Sequence, residues 1–120
     1  MKKIKMKSSQ IFESHSDSFE KEYDAEIERL EDGIKIVYDN TIILIQKDMV
    51  HIQSGNNTLN IEKHARRKTK YHTPYGVLSI ETEGKEIIVE EDAILLQLQY
   101  LMKVGNTKEY TNHLQIIVVE

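Results

Sequence analysis

The chain has no cysteine, no tryptophan, one proline, two phenylalanines and only three alanines. Without cysteine there is no disulfide, no thiolate metal site and no thiol nucleophile. One proline and five scattered glycines exclude collagen-like and proline-rich disordered chains. No apolar run exceeds four residues, as at Ile42 to Ile45 and Ile116 to Val119, so nothing reads as a membrane-spanning helix. The amino terminus, MKKIKMKSSQ, carries the charge of a signal peptide but no apolar stretch behind it. That pattern leads us to expect a cytoplasmic protein. Excess positive charge is also missing. There are 16 Lys and Arg against 20 Asp and Glu, net −4, where a general nucleic-acid binder is usually basic.

What is present selects strand over helix. Ile, Val and Thr together make 30 of 120 residues. Their branched side chains fit a pleated surface and lose rotamer freedom on a helix. The length suits one domain, 1–120, with one core.

Pairing can be tested along the chain, because opposed residues of a hairpin share a face. A turn at His15–Ser16, joining 3–14 to 17–31, sets Ile4 against Ile27, Met6 against Ala25 and Phe12 against Phe19. On the other face it sets Lys3, Lys5 and Lys7 against Glu28, Glu26 and Asp24. Asp32–Gly33 is a hairpin signal, since glycine accepts positive φ. Turns at Asp39–Asn40, Lys47–Asp48 and Gly55–Asn56 align Ile36 with Ile43, Ile45 with Val50, and Ile52 with Leu59. Pairing parity changes over 62–67, which predicts a bulge or longer turn near His64–Ala65. The turn Thr73-Pro74-Tyr75-Gly76 sets Tyr71 against Leu78, Thr69 against Ile80 and Arg67 against Thr82. Gly84–Lys85 and Glu91–Asp92 read as two further hairpin turns, setting Ile80 against Val89 and Val89 against Ile94. A loop over 104–108 aligns Tyr100 with Asn112 and Leu96 with Ile116.

The fold class that follows is all-β. It is an antiparallel up-and-down meander closed into a barrel of about 8–10 strands, because a sheet of that width curls and removes its edges. A flattened two-sheet sandwich is the alternative.

The segment Tyr71-x-Thr73-Pro74-Tyr75-Gly76-x-Leu78-x-Ile80-x-Thr82 resembles the signature of the YwiB-like family. The long strand with Tyr100, the Gly105–Asn106 turn and the alternating last strand fit the same pattern. The specific part of the likeness is about twelve residues, and the acidic stretch 13–32 has no counterpart in it. The resemblance implies a small, cytoplasmic bacterial protein of unknown function with a calycin-like, lipocalin-like barrel. It implies no reaction.

Candidate ligand-binding residues follow from the inner face. By the pairing above, Arg67, Thr69, Tyr71 and Thr82 share a face with Leu78 and Ile80, and Tyr100 and Asn112 lie on the inner face of the last two strands. An arginine inside a barrel is costly unless paired. A small apolar or amphipathic anion could be that partner, held by Arg67 and the tyrosine hydroxyls. The bland reading puts Arg67 at the rim. Thr73, Pro74, Tyr75 and Gly76 read as a structural turn, with the Tyr71 and Tyr75 rings packed beneath it.

The basic run 63–70 carries net +5 and the acidic stretch 13–32 net −7. Charge of this kind is usually a solvated outer face. The alternative is a module with a filled barrel that docks a protein or RNA through this surface, though few aromatics are available to stack RNA bases. The five histidines are scattered, no metal or other cofactor is assigned, and no constellation supports catalysis. Val37, Ile42 and Leu44 on the nominal outer face leave room for a homodimer.

Overall fold

The computed structural model describes residues 1–13 and 15–119. Ten strands run in order: β1 (Lys2–Phe12), β2 (His15–Leu30), β3 (Gly33–Tyr38), β4 (Thr41–Gln46), β5 (Met49–Ser54), β6 (Asn57–Glu62), β7 (Arg66–Thr73), β8 (Gly76–Glu91), β9 (Ile94–Val104) and β10 (Tyr110–Val118). No helix occurs among the described residues, hence none long and apolar enough to cross a membrane.

All ladders are antiparallel, in the spatial order β6-β5-β4-β3-β2-β1-β10-β9-β8-β7. The last strand lies beside the first, as closure requires. The long strand β2 joins two halves of the sheet. Its residues 15–25 pair with β1, and 26–30 pair with β3. The halves fold over one another, and their facing sides supply the core. Ile4, Ile36, Ile43, Ile45, Ile61, Leu96, Leu98 and Ile116 are all fully buried there. Alternation puts every second residue on that face, which is why a quarter of β-branched residues suffices to build it.

The sheet ends at β6 and β7, and a seam of side-chain and turn contacts closes it. Thr82 Oγ donates to the Asn60 carbonyl at 2.6 Å. The Asn57 amide donates to the His72 carbonyl and accepts from the His72 N–H, both at 2.8 Å. His64 N donates to the Gly84 carbonyl at 2.8 Å. A tight turn brings Ala65 back onto Glu62, with His64 at φ 61°, where the parity break predicted it.

The meander from β3 to β6 and the β7–β8 hairpin keep the registers read from sequence. So does the β9–β10 pair over Tyr100↔Asn112 and Leu96↔Ile116.

Four expectations are corrected. The β1–β2 register is slipped by four residues. Ile4 opposes Tyr23, Met6 opposes Lys21, Ser8 opposes Phe19 and Phe12 opposes His15. His15–Ser16 is therefore already strand, and the strand end expected at Ser14 lies outside the described residues. Phe12 packs on Tyr110 instead of Phe19, ring centres 4.5 Å apart. The slip keeps each lysine opposite an acid: Lys3↔Asp24, Lys5↔Glu22 and Lys7↔Glu20. Second, Gly84–Lys85 is no turn. β8 runs through it as one strand of 16 residues, with a register shift between Gly84 and Glu86, so Ile80 opposes Val104. Third, Val89 opposes Leu96, and Glu91 opposes Ile94, two residues from the expected register. Fourth, the β2–β3 turn lies at Glu31–Asp32, with Gly33 already paired to Leu30.

Candidate functional site

The six inner-face candidates form part of one wall. Strands β7 to β10 set Arg67 against Thr82, Thr82 against Met102, and Met102 against Tyr110. The neighbouring row runs from Gly84 to Tyr100 to Asn112 and ends on Gln10. Thr69 lies beside Ile80, and Tyr71 beside Leu78. The face expected for these residues is therefore the face they occupy.

Three of the six, Arg67, Thr82 and Asn112, have polar atoms engaged within the chain. Thr82, 1% exposed, spends its hydroxyl on the seam to Asn60. Asn112, 5% exposed, directs its amide at the Met102 sulfur at 3.6 Å, and the Tyr110 hydroxyl reaches the same sulfur at 3.1 Å. Arg67 stands at the seam with its side chain about half exposed, and its Nε donates to Glu62 at 2.7 Å. Its charge is thus matched by a carboxylate of the neighbouring strand. Among the described residues, no buried side-chain nitrogen or oxygen lacks a hydrogen-bond partner.

Burial pushes the Tyr100 phenol up to about 12, with nearby Tyr110 adding to the rise. The phenol is thus a neutral hydrogen-bonding group and has no basic form near neutrality. The sign of the pH dependence follows. Tyr100 ionises in the unfolded chain near 10 and in the folded chain near 12. Its contribution to stability is therefore full below pH 10 and falls as pH rises towards 12. Urea midpoints should decline over that window, and decline less in Tyr100→Phe.

The Thr73–Gly76 turn is built by a hydroxyl and no ring. Thr73 Oγ donates to the Gly76 carbonyl at 2.8 Å and accepts from Tyr75 N at 3.2 Å. Tyr71 does pack against the core, but Tyr75 is 99% exposed, so its ring does not lie under the turn as expected.

Arg66, Arg67 and Lys68 of the basic run are paired with neighbouring acids. Arg66 contacts Glu81, Glu83 and Glu109 at 3.5, 3.3 and 2.8 Å, and Lys68 contacts Glu81 at 3.4 Å. Glu109 helps to hold the Arg66 guanidinium charged. Among the described residues, no three His, Asp or Glu side chains converge as metal ligands.

One feature escaped the sequence reading. A groove of about 680 Å³ runs over β2, β1, β10 and β9, and its lining includes the inner-face row Phe19, Ser8, Leu114 and Leu98 as well as the polar residues that flank it. Ser18, Ser9 and His113 lie in one flanking row, and Glu20, Lys7 and Gln115 in the other. Gln97 continues the second row. These residues carry no motif, because they are consecutive polar and apolar positions of four alternating strands. Only the strand order brings them together.

The comparisons match this architecture. The family model described as a domain of unknown function, DUF1934, matches residues 4–116. The chain belongs to that family. The DUF1934 barrel is similar to the crystal structure of ywiB protein from Bacillus subtilis, with a TM-score of 0.63 and 15% identity over 98% of this chain and 91% of that one. That likeness shows the fold, and together with the family match it supports the YwiB-like resemblance. No curated protein matches the sequence. The DUF1934 match thus assigns a fold and a family, and leaves the activity to be argued from geometry.

Proposed function

We propose that this barrel is a protein-interaction module that works through its outer surface. The observation that carries the reading is the filled interior. Large aliphatic side chains from both halves of the sheet meet in one buried cluster, Thr82 bonds to backbone, and Tyr110 and Asn112 reach the Met102 sulfur. The groove over β2, β1, β10 and β9 offers the contact surface. Its amides, hydroxyls and mixed charges, set beside Ile11, Phe19 and Leu114, suit an extended amphipathic segment of another protein. The ion pairs that occupy Arg66, Arg67 and Lys68 favour protein over RNA as the partner.

The test is affinity capture from the native cell extract, with three forms of the protein compared. Gln97→Glu combined with Gln115→Arg should lose the partner that the wild type retains. Arg67→Ala should retain it, and should shift stability by about 1 kcal/mol at most, since its ion pair is half exposed. The same partner bound by all three forms, or lost only with Arg67→Ala, would reject the groove.

A second reading is a small amphipathic anion held against Arg67, Thr69, Tyr71 and Tyr100. It is favoured by Asn112, whose nearly buried amide is directed at a sulfur, a weak acceptor that a ligand oxygen would improve on.

A further inference from the structure

Strand β2 has an edge that the barrel does not use. Among the described residues, the backbone of 15–24 pairs with β1 alone, and β3 takes over only from Glu26. Both faces of 15–22 are exposed, and Phe19 is 55% exposed. An unpaired edge of this length is a template for another strand unless its side chains forbid it.

Those side chains select a partner. In an antiparallel ladder, directly opposed residues are both hydrogen-bonded or both not. Two identical strands can therefore meet about a two-fold axis only with some residue opposite itself. Centred on Glu20, the pairing sets Glu20 against Glu20. Centred on Lys21, it opposes two lysines and sets Glu20 against Glu22 twice. Centred on Ser18, it sets Asp17 against Phe19. Centred on Phe19, it sets Phe19 on Phe19, Asp17 against Lys21 twice, Ser18 against Glu20 and Ser16 against Glu22. His15 then meets Tyr23, and the ladder stops before β3 begins. In that register no like charges are directly opposed.

We propose that β2 pairs with β2 of a second copy, antiparallel and centred on Phe19. The occupant is argued from this charge complementarity and goes beyond the interaction reading above. Within one chain, Lys21 lies 5.0 Å from the Tyr23 ring centre and Asp17 lies 3.3 Å from His15, so each is free to exchange a weak local contact for its opposite charge. Burial of Phe19 on its own copy supplies the apolar centre. The pairing also places Ser18 and Glu20 of each copy beside Glu20 and Ser18 of the other, so the two grooves meet across the axis.

Sedimentation equilibrium of the intact chain tests the pairing by charge reversal. The wild type should be a reversible dimer. Asp17→Lys alone or Lys21→Asp alone should each raise the dimer Kd at least tenfold. The double variant, Asp17→Lys with Lys21→Asp, should return it to within a few-fold of wild type. Circular dichroism of each variant should keep the wild-type strand signal, since both positions are solvent-exposed. A wild type that stays monomeric would overturn the proposal. So would a dimer insensitive to the single reversals, or a double variant that fails to re-associate. The groove substitutions at Gln97 and Gln115 are on other strands, so loss of capture and loss of dimer are separate results.

Discussion

Gly84→Val is expected to cost about 3 kcal/mol of folding stability. A Cβ at this position would lie 2.8 Å from the Glu62 carbonyl oxygen and 3.1 Å from the Lys63 Cα. Both are backbone atoms, so no side chain can yield. The β6–β8 approach must open instead, and the His64 N–H to Gly84 carbonyl bond opens with it. Glycine is needed here for close approach of two chains. Thr82→Val probes the same seam more gently. It keeps the shape but removes the donor to the Asn60 carbonyl, leaving a buried acceptor short of a partner, at about 1–2 kcal/mol. Urea midpoints of the two variants measure the seam directly. Wild-type stability in Gly84→Val would mean that β6 and β8 are not held together there.

Ile43→Ala is the second large effect, at about 3–4 kcal/mol. Ile43 lies on β4 between Ile36 on β3 and Ile52 on β5, and it is fully buried. Truncation removes three carbons from a cluster whose neighbours are fixed by ladders on both sides, so collapse around the space is limited. The loss should appear in chemical unfolding. A loss near that of an exposed site, a few tenths of a kcal/mol, would mean that the interior is loosely packed. A ligand cavity would then be easier to accommodate.

The fold was legible where turn chemistry and apolar alternation agreed. Asp39–Asn40, Lys47–Asp48 and Gly55–Asn56 each fix one register, and a slip of one residue would turn Ile43, Ile45 and Ile52 outward. The β1–β2 hairpin was not fixed in this way. Acids stand at 20, 22, 24, 26 and 28, so Lys3, Lys5 and Lys7 find a carboxylate in several registers, and a slip of four preserves both faces. A period-two run of acids specifies a face but no position along it. Gly84 misled for a related reason. In sequence a glycine before lysine reads as a turn, whereas its role is contact with Glu62, more than twenty residues earlier. The candidate wall was placed on the right face because its β7–β8 and β9–β10 registers were right. That Thr82 would be spent on the seam, and that Arg67 would find Glu62, depends on where β6 ends, which the parity break concealed. The groove depends on β1 lying between β2 and β10, a consequence of closure and of no local motif.

The central claim is that the interior is filled and the protein acts through its surface. A native mass spectrum of the gently purified protein tests it most directly. The account predicts the bare mass of the chain and of its dimer, with no retained small molecule. A stoichiometric small-molecule adduct that is lost in Arg67→Ala would contradict it, and would place the function inside the barrel.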